Sequence, residues 1–526
     1  MRVEAQSRAA SVRPVHSPVE VAVAAPNELA CRAAIDIAAA GGNAVDAALA
    51  AAVVTMCTEP GLVSLGGAAY VTICEADGSP PVTVDGGVTM PGHGVNAARL
   101  GGGLRDVHTE YAGGVDMVVG HGSVATPGTL RALEATSRRS GLLPWAEVLA
   151  PAIEVSRHGF PHGQASHHYL GYVHESVFGW QPASHATVHD ADGKLPDVGT
   201  MMRIDGLSDS LQHLAEHGAD AFYIGDLAAA IVAEFDAGGG ILTRDDLAGY
   251  RAIVRQSLSA ELGRWTVSTN PAPAVGGVVL AALVTLLADR PGTGGWSDDD
   301  RRQLVRCQQA VLRHRADVLD VAPDRQAAAA ALMDTVRRRD LSLLTSPSTC
   351  HISVVAADRS ACAITCSSGY GSGVVVPGTG ISFNNCLGEP ELTPHGAHGE
   401  AIGTRLLTAM APTVVRRDDG AVIAIGSPGS DRIPTAIAQT LLGHVNGGLA
   451  LAQAVAVPRA HVRIRGGDLL DHEADWQVPP GLDLPTRSMP VHSMYFGGVG
   501  AASWTPARGL DAAGDPRRIG ATAVSI

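Results

Sequence analysis

The sequence predicts an α+β fold in which layers of helix, sheet, sheet and helix follow one another, with a mainly helical section in the first half. Three observations predict it. An Ala-rich helix pair opens the chain, helix-period segments ending in glycine fill its middle, and at Thr349 the pattern changes to the two-residue alternation of strands.

The opening pair is LACRAAIDIAAA and AVDAALAAAVVTM, separated by Gly41, Gly42 and Asn43. Glycine ends the first helix because it enters left-handed backbone without a Cβ clash, and asparagine is a strong N-cap for the second. Pro60-Gly61 and Leu65-Gly66-Gly67 then lead into AYVTICEADGSPPVTVD, two strands joined by a Gly-Ser-Pro turn. From about residue 125 to 345 the expectation is mainly helix, through runs such as TPGTLRALEATSRRSG, PWAEVLAPAIEVSRHG and VVLAALVTLLADRPG. Beyond Thr349, HISVVAADRSACAITCSSG reads as a hairpin turning at Asp-Arg-Ser. GVVVPGTGISFNNC and TVVRRDDGAVIAIGSPGS continue the sheet, and IPTAIAQTLLGHV supplies a late helix.

Composition bounds the function. A chain of 526 residues with 46 % hydrophobic positions can bury a large core, and a formal charge of -14 disfavours nucleic acid, which is bound by basic surfaces. The eight cysteines, scattered through apolar segments, read as small buried hydrophobes; Cys362 and Cys366 fall on one face of a strand. The N-terminal stretch lacks the continuous apolar run of a signal peptide, and no stretch reaches membrane-spanning length, so a cytoplasmic protein without membrane contact is expected. His167, His168 and His174 fit no metal-ligand spacing and read as surface or loop residues. The glycine-rich pieces lack the strand and helix context of nucleotide folds. No metal and no cofactor are expected.

The chemistry concentrates between Ser348 and Gly373. A threonine hydroxyl is a weak nucleophile until a base takes its proton, and one solution makes the threonine its own N-terminus, so that its free amine is the base. That requires a break in the chain. Thr349 suits it, following a Leu-Thr-Ser-Pro-Ser lead and preceding a strand, although these residues alone also permit Ser348 or Cys350.

AAAGGNAVDAALA, LGGAAY, HGSVATPGTL, GGGILTRDDLAGYRA, NPAPAVGG, STCHISVVAAD, GTGISFNN, MAPTVV, IGSPGSDRI and DPRR occur in the order of corresponding motifs in the γ-glutamyltransferase family, which the chain resembles over nearly its whole length. The resemblance implies a four-layer αββα sandwich of the N-terminal nucleophile hydrolase type, self-cleaved between Ser348 and Thr349. Residues 1–348 and 349–526 would then be two fragments that stay associated around one shared core. It implies Thr349 as nucleophile, Ser367 as a hydroxyl supporting it, and Gly429 and Ser430 as the oxyanion-hole pair. Asn384, Asn385 and Glu389 would recognise a glutamyl α-amino group, and Thr408 would lie near the α-carboxylate, with Ala409 in place of a second hydroxyl. Considered singly, Asn384 and Asn385 could also simply shape a turn.

Two departures stand out. Gly87, in Val84-Asp85-Gly86-Gly87-Val88, replaces the family's carboxylate-binding arginine, which removes a charge-assisted bond of roughly 1.5 to 3 kcal/mol. The Ser367 to Gly373 stretch is also too short to keep a donor asparagine. Arg405 or Arg432 could replace the missing cation, or each could be a structural ion pair. The expected function is transfer or hydrolysis of a γ-glutamyl or related amino-acyl group from a small-molecule amide through a threonyl acyl-enzyme. The alternatives are another acyl donor, C–C bond cleavage of the kind found among relatives in alkylproline-type biosynthesis, or an unprocessed, non-catalytic subunit.

Overall fold

Asn27 and Asn43 start the two opening helices. The Asn27 side chain accepts the Ala30 N–H at 3.0 Å in α1 (Glu28–Ala39). The Asn43 side chain accepts those of Val45 and Asp46 at 2.9 and 3.0 Å in α2 (Ala44–Thr58). Asp46 accepts the Asn43 N–H at 3.1 Å in return, closing a capping box across the Gly-Gly-Asn turn. Every residue of α2 is buried, as suits a helix apolar on all sides.

The computed structural model describes residues 17–111, 114–291, 295–337, 350–429, 431–464 and 467–525. Further helices include α3 (Thr129–Ser140), α4 (Trp145–His158), α5 (Gln164–Val173), α6 (Val275–Leu287), α7 (Asp298–His314), α8 (Arg325–Arg337) and α9 (Arg432–Leu441). The strands of the two main sheets are β1 (Val21–Ala25), β2 (Ala68–Cys74), β3 (Val82–Gly86), β4 (Ile253–Gln256), β5 (Leu258–Leu262), β6 (Trp265–Thr269), β7 (Cys350–Ala356), β8 (Ala361–Ser367), β9 (Thr413–Arg417), β10 (Val422–Gly426), β11 (Gly500–Thr505), β12 (Gly509–Ala513) and β13 (Ala521–Val524).

The first sheet runs β13-β1-β7-β8-β2-β3-β4 and the second β12-β11-β10-β9-β6-β5. Helices α1, α2 and α3 cover the outer face of the first sheet, the sheets pack face to face, and α6 and α9 cover the second, which completes the four layers. Side chains alternate accordingly. Cys350, Ile352, Val354 and Ala356 of β7 join the core under the helices, whereas Val355 faces the second sheet with Ala361, Ala363, Val414 and Ala424. The two strands that follow residue 349 lie between β1 and β2 from the start of the chain, so both parts of the sequence build this sheet.

Two local expectations are corrected. The stretch expected to be mainly helical contains β4, β5 and β6, whose alternation in Ile253 to Thr269 is overshadowed by the helices around it. GVVVPGTGISFNNC forms only isolated bridges, Val375 with Ser382 and Phe383 with Gly66, because its glycines and proline break the ladder. Of the histidines expected at the surface or in loops, His167 and His168 sit in helix α5, with His168 exposed, and His174 is its C-cap.

Candidate active site

Ser367 ends β8 opposite Ala68, the first residue of β2. Where these strand ends meet the end of β3, a narrow cleft of about 20 Å³ is lined by Ser367, Glu389, Thr408 and Gly87, with apolar walls from Val88, Leu392, Leu406 and Met410. Residues far apart in sequence thus share one small space.

Local bonding fixes each group. Ser367 Oγ accepts the Gly369 N–H at 3.0 Å, and Thr408 Oγ1 accepts the Met410 N–H at 3.2 Å. The Thr408 carbonyl accepts the N–H groups of Val275 and Gly276 at 3.0 and 3.1 Å, so the NPAPAVGG and RLLTAMAPT segments meet where α6 begins. Glu389 is buried, and its Oε1 has no hydrogen-bond partner among the described residues. Burial, reinforced by the charge of Glu391, raises its carboxyl well above the usual range, which favours the neutral form.

Asn384 and Asn385 serve the backbone. Asn384 donates to the carbonyls of Gly66 and Ala125 at 2.8 and 3.0 Å and accepts the N–H groups of Ala125 and Cys386, both at 3.1 Å, which uses its full capacity. Asn385 accepts the Tyr370 N–H at 2.7 Å and donates to the Val118 carbonyl at 3.3 Å. Neither lines the cleft. They join the LGG, TPG and Ser367 loops and shape the segment carrying Glu389.

Gly429 follows β10 with φ +118°, and a Cβ there would lie 2.5 Å from Gly497 Cα, so the turn admits only glycine. Ser348, Thr349 and Ser430 lie outside the described residues. Cys350 begins β7, paired with Cys366, and burial pushes its thiol up to about 12, which leaves it a poor nucleophile.

Gly87 has no room for a side chain, since its Cβ would lie 2.3 Å from the Tyr70 hydroxyl. Its carbonyl accepts both Tyr250 Oη and Arg405 Nη1 at 2.6 Å. Arg405 also donates to the Arg251 carbonyl at 2.6 Å, faces Asp85 at 3.4 Å and lies over the Tyr250 ring. Arg432 pairs with Asp431 at 2.6 Å and donates to the Tyr495 carbonyl at 2.9 Å. Both arginines are therefore structural, and neither lines the cleft. The roles of Tyr70, Asp85 and Tyr250 under Gly87 were not legible in the sequence; the one signal was the tyrosine closing GGGILTRDDLAGYRA.

A second cavity of about 30 Å³ lies on the β1 side of β7, lined by Glu59, Arg518, Cys350, His351 and Pro428 among others. Glu59 Oε1 accepts from Asn27 Nδ2 at 2.8 Å, and burial pushes its carboxyl up to about 7. No helix among the described residues is long and apolar enough to cross a membrane.

Four layers, with the chain's hydroxyl and carboxyl groups gathered at the strand ends of the first sheet, define an αββα enzyme of the N-terminal nucleophile hydrolase type. The gamma-glutamyltranspeptidase family model matches residues 30–334 and 308–525, and the chain belongs to that family. It is 30% identical over 485 residues to the glutathione hydrolase proenzyme of Pseudomonas aeruginosa, covering 86% of this chain and 85% of the relative. With the acylase ACY 1 proenzyme of Pseudomonas sp. (strain SE83) it shares 29% identity over 503 residues, 91% of this chain and 88% of the other. Among solved structures, cephalosporin acylase from Bacillus halodurans superposes with a TM-score of 0.78 at 24% identity, covering 99% of each chain, which shows the shared fold. Gamma-glutamyltranspeptidase from Pseudomonas nitroreducens matches at 27% identity and a TM-score of 0.51, over 60% of this chain and 92% of its own. The protein is thus a hydrolase or transferase of the γ-glutamyltransferase kind.

Proposed function

We propose that the chain cleaves itself between Ser348 and Thr349 and then transfers or hydrolyses a γ-glutamyl or related amino-acyl group through an ester on Thr349. The observation that carries this reading is the convergence of Ser367, Glu389 and Thr408 on one cleft at the end of β8, the strand paired with the one that follows Thr349. The buried Cys350 thiol supports threonine as the nucleophile over its neighbour.

In the proposed reaction the freed amine of Thr349 takes the proton from its own Oγ as that oxygen attacks the amide carbonyl. The carbonyl oxygen, now anionic, is stabilised by the N–H groups of Gly429 and Ser430. The proton passes to the departing amine, the C–N bond breaks, and the acyl group remains as an ester. Water or a second amine attacks that ester and restores the hydroxyl. Ser367 holds the nucleophile in place, and Asn384 and Asn385 act at a distance by fixing the loop that presents Glu389. A substrate ammonium entering the cleft draws the Glu389 carboxyl back to its ionised form, since an opposite charge favours ionisation. The association of the two fragments is supported by their interleaved strands in the first sheet.

The packed Gly87 and the absence of a cation from the lining of this cleft, among the described residues, favour an amino-bearing donor held without a carboxylate clamp. A screen of the processed protein with γ-glutamyl anilide against other amino-acyl anilides tests this. Turnover of an amino-acyl anilide, lost in Thr349→Ala, is expected; a processed protein that turns over none of them would overturn the reading.

A further inference from the structure

A cavity outside the Ser367 cleft lies between helix α5 and the loop before β11. It measures about 480 Å³, within the range of roughly 300 to 1,000 Å³ typical of small-molecule sites. Its walls include Tyr111, His168, Tyr172, Val491, Met494 and Ile519. Tyr172, Val491 and Ile519 are 44%, 47% and 58% exposed, an unusual gathering of large apolar groups around one opening. Tyr172 meets both Tyr111 and His168 edge-on, with ring centroids 5.7 and 5.4 Å apart, so the three rings brace one another.

Backbone strain gathers at the same place. Of the three described non-glycine residues with left-handed φ, His492 at 56° and Ile519 at 49° line this groove. A β-branched residue seldom adopts that conformation, and such strain is typical of functional sites.

Both walls are tied to the candidate reaction centre. On one side the Tyr495 carbonyl accepts from Arg432, and Gly497, two residues on, packs against Gly429. On the other, Tyr111 meets Tyr370 edge-on, and the Tyr370 N–H is held by Asn385 near the end of β8. The only arginine in the lining, Arg517, is saturated by Glu473 and Asp515. The groove therefore offers ring faces and aliphatic surface beside the polar groups of Glu110, Gln164 and Ser493, and among the described residues no free arginine or lysine for an anionic group.

We propose that this groove binds the amine side of the substrate and takes a planar, uncharged aryl amine in preference to a dipeptide. The proposal rests on the acyl-transfer reading above, and two measurements separate the two. In the first, fluorescence titration of Thr349→Ala protein with 2-naphthylamine needs no turnover. Saturable binding is expected, weakened about tenfold or more by Val491→Asp or Tyr172→Asp and retained by Tyr172→Phe. In the second, kinetics of the processed enzyme compare an amino-acyl 2-naphthylamide with the corresponding methylamide. Val491→Asp should raise KM about tenfold for the naphthylamide alone and leave kcat/KM for the methylamide unchanged. Binding that follows this pattern without turnover of either amide would keep the groove and remove the proposed function. Turnover of both amides with equal effects of the variants, or none, would keep the function and overturn the groove, as would the absence of saturable binding.

Discussion

The Nδ1 atom of His351 lies 2.8 Å from Thr365 Oγ1, and its Nε2 lies 2.8 Å from Ser353 Oγ. Because Ser353 donates its own proton to the Gly500 carbonyl at 3.1 Å, its oxygen accepts from Nε2–H, and Thr365 donates to Nδ1. The imidazole is thus neutral with its proton on Nε2, inside the sandwich two residues beyond Thr349. Burial pushes its pKa down to about 3. Between that value and the ordinary 6.5, the unfolded chain binds a proton that the folded chain refuses. Stability from this site is complete above about pH 6.5 and is lost as pH falls toward 3, by roughly 5 kcal/mol at most. Urea unfolding at pH 7.5 and 5 should show a smaller acid-induced loss in His351→Gln than in wild type; parallel losses would contradict the assignment.

Glu59 has the opposite sign. Its carboxyl is pushed from 4.5 to about 7, so in that window the folded chain holds a proton that the unfolded chain has released. Stability falls as pH rises through the window and is level above it, a cost on the order of 3 kcal/mol. Glu59→Gln keeps the acceptor for Asn27 and should be more stable than wild type at pH 8 while matching it at pH 4.5. Since His351 and Glu59 oppose each other over part of the range, the differences between variants, and not the wild-type profile, carry the test.

Gly426 makes room for the His351 ring. It pairs with Gly500 across β10 and β11, and a Cβ on Gly426 would lie 2.3 Å from the imidazole. Gly426→Ala should therefore destabilise by about 1 to 3 kcal/mol through overpacking, read as a lower Tm. An unchanged Tm would mean that the ring moves aside at no cost.

Restoring an arginine at position 87 should not restore a clamp. The side chain would start inside the Tyr70 hydroxyl and displace the Asp85, Tyr250 and Arg405 contacts, so Gly87→Arg is expected to lower Tm without lowering KM for a γ-glutamyl anilide. A tenfold lower KM in a stable variant would show that the cleft accommodates the family's usual mode.

What the sequence made legible were the features encoded locally. The Gly-Gly-Asn turn, the hairpin through Asp358, Arg359 and Ser360, and the αββα order all follow from residues adjacent in the chain. Ser367, Glu389, Thr408 and Gly87 were likewise singled out, and they meet at one cleft. Long-range packing was less readable. That Asn384 bonds to Gly66 and Ala125, or that Arg405 is held by the carbonyls of Gly87 and Arg251, depends on partners far away in the chain. Strands β4 to β6 were missed because their alternation is short and sits among helices.

The proposed chemistry turns on Thr349, and N-terminal sequencing of the purified, active protein tests it most directly, with Thr349→Ala and Cys350→Ala run beside it. Two fragments are predicted, the smaller beginning TCHISVV, with Thr349→Ala uncleaved and inactive and Cys350→Ala still cleaved. A single uncut chain in active protein, or a new N-terminus at Cys350, would contradict it.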